Sequence, residues 1–135
     1  MRTDELMDMT NGVPKVITPA THAVLDYITA GTFIAMGFAL LGRNRRAAGL
    51  AFANGAAVLG LSLMTDYPGG VFKTVSFRTH GAVDMLQAGM SAMGPALLGF
   101  ASEPEAQMFH AQAAVEAAVV AATDWNNSEA QRLAA

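Results

Sequence analysis

Thr79-His80-Gly81-Ala82-Val83-Asp84 has an earlier counterpart, Thr21-His22-Ala23-Val24-Leu25-Asp26, 58 residues upstream. Each opens an apolar run. Each run leads into a second one that closes on Thr-Asp-aromatic: Thr65-Asp66-Tyr67 and Thr123-Asp124-Trp125. From His to closing Asp the interval is 44 residues in both copies (22 to 66 and 80 to 124). The chain therefore reads as one helical hairpin written twice. At this offset residues 21–67 match 79–125 at 11 of 47 positions. The Ala and Gly matches carry little information in so Ala-rich a chain. The coincidences of Thr, His and Asp carry the argument.

Composition narrows the class. Of 135 residues, 53% are hydrophobic and 14% charged, against roughly 25% charged in ordinary soluble domains. So little charge points to lipid or to burial in an assembly. A net charge of -3 gives no basic face for nucleic acid. Without cysteine there is no disulfide, thiolate ligand or thiol nucleophile. Asp4, Glu5 and Asp8 occupy the place where a secretory leader needs positive charge.

The pattern predicts four helices: 22–42, 47–65, 79–101 with Pro95 inside it, and 105–124. Thr21 and Thr79 are the expected N-caps. Residues 1–20 read as a polar segment, 21–125 as the four-helix domain and 126–135 as a polar tail. A basic turn (Arg43, Arg45, Arg46) joins the first two helices, and 71–78 reads as an interfacial connector. A membrane span needs about 20 mostly apolar residues. The uncharged runs come close to this. The second run shows no polar stripe of the kind that a soluble amphipathic helix presents. The expected fold is all-α: four transmembrane helices as two tandem hairpins, related by a pseudo-two-fold along the membrane normal. Its partners are then the lipid bilayer and other membrane subunits or further copies of itself.

His22 and Asp26 are spaced i, i+4 and share a helix face, as do His80 and Asp84. Helices one and three begin on the side where two and four end. His22, Asp26, Asp66, His80, Asp84 and Asp124 are thus expected at one end of the bundle, each His bonded to Asp66 or Asp124. Four readings follow. The group is a structural clamp; a metal site built from imidazoles and carboxylates; a porphyrin held by His22 and His80; or a proton or ion relay. Glu116 lies about 12 Å deeper than Asp124 by helix rise, opposite Val58 of the first copy, and His110 and Glu116 read as buried polar residues. No nucleophile elbow, phosphate loop or zinc-protease pattern occurs, and no catalytic residue is assigned.

Thr-His-x3-Asp, then Leu63-Met64-Thr65-Asp66-Tyr67, Arg78-Thr79-His80-Gly81-Ala82-Val83-Asp84 and Pro95-Ala96-Leu97-Leu98-Gly99-Phe100-Ala101 resemble the bacterial SPW-repeat membrane proteins. The resemblance covers residues 18–125. It departs at the naming tripeptide, where this chain has Gly94-Pro95-Ala96 and Met36-Gly37-Phe38. It implies a four-helix, two-copy fold in the bacterial cytoplasmic membrane and no activity. On these grounds the expected role is a non-catalytic accessory subunit, with metal or porphyrin binding or ion handling as the alternative.

Overall fold

A computed structural model describes Arg2, Glu5 and residues 12–127. Most of the expected N-terminal segment before residue 12, and the tail from 128, lie outside the described residues. Four long helices make up the fold: α1 (Pro19–Leu40), α2 (Arg45–Met64), α3 (Phe77–Leu97) and α4 (Ala106–Ala122). No multi-residue strand occurs among the described residues. α1 packs chiefly on α2, and α3 on α4, giving two antiparallel hairpins.

α1, α2 and α3 start two or three residues earlier than the pattern predicts, and α4 one residue later. Thr18 and Ser76 are the N-caps, and their side chains accept from the backbone N–H of Thr21 and Thr79. The caps expected at Thr21 and Thr79 are thus displaced by three residues. Pro19 at the start of α1 explains the first shift, because its fixed φ and missing N–H suit a helix's first turn. α3 ends at Leu97 rather than 101; Gly99 takes a left-handed φ of 75°, a conformation common just beyond helix ends.

Two ends can be distinguished. At the loop end Phe33, Phe100 and Phe109 are fully buried beside Leu40, Leu50 and Met36. There Arg46 reaches across to Glu103 at 2.6 Å and to the carbonyl of Gly99 at 2.8 Å. Asn44, the N-cap of α2, also donates to Glu103. At the other end the chain forms two isolated parallel bridges, Ile17 with Thr123 and Thr65 with Val75. These bridges tie the segment before each odd-numbered helix to the segment after an even-numbered one.

α1 and α2 are each long and apolar enough to cross a membrane, with mean hydropathy 1.6. The outer surface is apolar as well. Val83, Leu86, Met90, Met93 and Leu97 are all exposed, and their 3–4 spacing makes one continuous stripe along α3.

Gly81 shows how closely the elements meet. A Cβ added there would lie 2.8 Å from the Trp125 ring. That ring cannot retreat: it is buried, and its Nε1–H donates to Val120 O at 2.9 Å. Overpacking of this kind costs about 1–3 kcal/mol, while Gly to Ala inside a helix returns about 0.5–1 kcal/mol. Gly81→Ala is therefore expected to lose about 1 kcal/mol net in denaturant unfolding, followed by Trp125 fluorescence. Gly89→Ala on the same helix, where nothing lies within 4 Å of the added atom, should be neutral or gain stability.

Candidate metal centre

Starting α1 and α3 early moves the histidines inward. His22 and His80 stand in the second turn rather than at helix starts, and Asp26 and Asp84 one turn further along the same faces. Both histidines are almost fully buried, at 0% and 1% exposure. Their rings meet edge to face with centroids 5.2 Å apart. Phe77 and Trp125 pack against both rings, and Tyr67 against His80. This leaves no slot for the plane of a porphyrin between them.

The closing tripeptides behave differently from expectation. α2 and α4 stop at Met64 and Ala122, and Thr65 and Thr123 are extended, with ψ of 141° and 136°. Side chains of an extended segment alternate in direction. Thr65 and Tyr67 therefore turn inward and are fully buried, while Asp66 between them turns away; Thr123, Asp124 and Trp125 repeat this. Asp66 and Asp124, expected as ligands, thus stand outside the cluster. Asp66 lies 3.7 Å from Lys73 Nζ, and Asp124 accepts from Asn126 N at 3.2 Å. The threonines take their place. Thr123 Oγ1 lies 2.8 Å from His22 Nδ1, and Thr65 Oγ1 lies 2.6 Å from His80 Nδ1.

The threonines fix where the ring protons sit. Each hydroxyl also lies 2.6 Å from a backbone carbonyl of its own helix, Leu61 O for Thr65 and Val119 O for Thr123. A hydroxyl has one proton, and at that distance from a carbonyl it must donate it there. Each threonine oxygen can then only accept from its histidine, so each Nδ1 carries a hydrogen. Both Nε2 atoms face the carboxylates.

The four groups converge closely. His22 Nε2 lies 3.0 Å from Asp84 Oδ2 and 3.3 Å from Asp26 Oδ1. His80 Nε2 lies 3.0 Å from Asp84 Oδ2 and 3.1 Å from Asp26 Oδ2. One donor atom from each of the four residues can be chosen so that all lie within 4.8 Å of one another. His80 Nε2 is buried and, despite those short distances, forms no aligned hydrogen bond. The buried Tyr67 hydroxyl donates to Asp26 Oδ2 at 2.7 Å. Burial and the Asp26 charge push the Tyr67 phenol well above its ordinary value, so it remains a donor.

Each histidine reaches the opposite hairpin: His22 hydrogen-bonds to Thr123 and Asp84, and His80 hydrogen-bonds to Thr65 and stands at ion-pair distance from Asp26. Thr65, Thr123 and Tyr67 are the site residues that sequence reasoning missed. The signal was present, since Thr65 and Thr123 recur at the same offset as the histidines. His110, expected to be buried, is exposed. Its neighbour Phe109 takes the inward direction, stacking on Phe33 with centroids 6.3 Å apart. Glu116 is half-buried, with both carboxylate oxygens out of solvent and without a hydrogen-bond partner.

Thr123→Val keeps the side-chain shape and removes the acceptor of the His22 Nδ1–H. A buried unpaired donor costs about 1–3 kcal/mol. Asp124→Asn, next in sequence, changes a residue outside the cluster and should alter stability by less than about 0.5 kcal/mol. Unfolding curves of the two variants under the same conditions check this ordering.

Comparison with models of known protein families, with curated proteins and with solved structures gives no match.

Proposed function

We propose that this chain is a membrane-embedded four-helix protein whose His22–Asp26–His80–Asp84 cluster binds one divalent first-row transition metal. The observation that carries the reading is the buried convergence of two imidazoles and two carboxylates, whose donor atoms all lie within 4.8 Å of one another. At the tetrahedral angle, metal–ligand bonds of about 2.0–2.2 Å put neighbouring ligand atoms about 3.3–3.6 Å apart, and the four His–Asp separations of 3.0 to 3.3 Å would need to widen only by a few tenths of an ångström. Two neutral imidazoles and two carboxylates leave two negative charges, which one divalent cation neutralises. The threonines do what outer groups do at metal centres: they accept the second ring N–H and so orient the ligating nitrogen. A nitrogen–oxygen donor set suits zinc, iron, manganese or cobalt.

The membrane setting rests on α1 and α2, on the exposed apolar stripe of α3 and on the resemblance to SPW-repeat proteins. Four spans in a bacterial cytoplasmic membrane, as two hairpins about a two-fold along the membrane normal, are the corresponding topology. Its support is the 58-residue offset of several contacts: caps Thr18 and Ser76, bridge residues Ile17 and Val75, and the paired His–Thr bonds. Both termini then lie on one side, and the Arg43, Arg45, Arg46 turn on the cytoplasmic side. The stripe on α3 also supports a second reading, an accessory subunit that packs against a larger membrane complex or against copies of itself.

Purified protein in detergent, dialysed against zinc or manganese and assayed by elemental analysis, should hold one metal per chain. His22→Ala with His80→Ala should hold none. Asp66→Asn with Asp124→Asn should bind as wild type does. Thr65→Val should weaken binding by about 10–100-fold. Equal metal content in wild type and the double-histidine variant would reject the reading. Reporter tags on the two termini that face opposite sides of the membrane would reject the four-span topology.

A further inference from the structure

We infer that the metal centre is open on its inner side, and that a small cavity there holds exchangeable water which completes the metal's coordination and hydrogen-bonds to Glu116. This deepens the metal reading above and rests on it. The cavity has a volume of about 30 Å³. A water needs about 10–15 Å³ measured this way, so one or two fit. Asp26 and Asp84 belong both to the cluster and to the cavity wall, so the space begins where the donor set ends. Thr29, Gln87 and Glu116 supply further polar wall, and Leu25, Val58, Val115 and Val119 the apolar part.

Glu116 is the independent sign of an occupant. Both its carboxylate oxygens are buried, neither forms an aligned hydrogen bond although Gln112 and Ser91 lie beside the carboxyl, and the residue lines this cavity. Buried polar atoms in folded proteins are nearly always paired with protein or with ordered water. The cavity is where water can reach them. The acid is also not a product of the repeat: 58 residues earlier stands Val58, a wall residue of the same cavity. A clamp that only joined the hairpins would need neither this carboxyl nor the space before it.

Four protein donors complete a tetrahedral structural zinc site, whereas sites that do chemistry keep a position for water. Manganese, iron and cobalt, which favour more ligands, leave positions for solvent. A divalent metal makes its bound water more acidic, and Glu116 is placed to accept a hydrogen bond from that water. The ligand class is thus water or hydroxide, with small molecules of similar size as competitors.

The probe is manganese. The Mn²⁺-loaded wild-type protein is placed in ordinary water and in ¹⁷O-enriched water, and its electron paramagnetic resonance lines are compared. Expected is line broadening in the enriched solvent, equivalent to one or two bound waters. Glu116→Leu should reduce the broadening by half or more at unchanged metal content, and Glu116→Gln, which still hydrogen-bonds, should retain it. Val119→Phe, which fills the cavity, should also reduce it. Manganese bound at one per chain with no ¹⁷O broadening overturns the open centre and leaves the metal reading standing. Broadening undiminished in Glu116→Leu overturns the role of Glu116. A failure of the wild type to bind manganese, zinc or cobalt removes the metal reading and this inference with it.

Discussion

Burying Asp26 beside Asp84 is the constraint on which the rest of the structure depends. Two carboxylates this close and this deep cannot stand without compensating positive charge, because desolvation of an unpaired ion costs several kcal/mol. The histidines supply the compensation, as imidazolium or as ligands of a cation. They do so across the hairpin boundary, each clamped by a threonine of the other hairpin. Separating the hairpins would leave carboxylates and Nδ1–H donors without partners. Direct packing between α2 and α3 is sparse by comparison with packing inside each hairpin. The polar cluster thus joins what the helices themselves join weakly.

The loop end is held by different physics. Phe33, Phe100 and Phe109 form a fully buried aromatic group, and Leu50 fills the space where Gly94 has no side chain. The Arg46–Glu103 ion pair lies at the surface, where such pairs contribute at most about 1 kcal/mol. Its effect is directional: it fixes the α3–α4 turn against the start of α2. Between the ends, Gln87 donates to Asn54 at 2.7 Å, and Asn54 in turn to Ser91 at 3.3 Å. This buried amide pair sets the register of α2 against α3, since a slip by one turn would leave every member unsatisfied.

Small residues make this architecture feasible. In the proposed lipid setting, burial of apolar area gives little net drive between helices. Helices then associate through close contact. Gly37 against Phe52, Gly55 against Ile34 and Gly81 against Trp125 are such contacts, and Val24, Ile28, Leu86 and Met90 face outward.

By itself the sequence determined four helices, two hairpins and the shared faces of His22 with Asp26 and of His80 with Asp84. These follow from chain-local geometry: a 3.6-residue period places i and i+4 together whatever surrounds them. It did not determine which member of each Thr-Asp-aromatic closure enters the site. That depends on the residue at which the helix stops, because one step along extended backbone reverses the side chain. Three buried partners, the Thr65 and Thr123 hydroxyls and the Tyr67 phenol, were for this reason passed over in favour of Asp66 and Asp124. His110 was misplaced for a related reason. Adjacent positions on a helix lie about 100° apart, and only the presence of Phe33 and Phe100 decides that Phe109 turns inward and His110 outward. Period and spacing are properties of one chain segment. Inward and outward exist only once a second segment has packed against it.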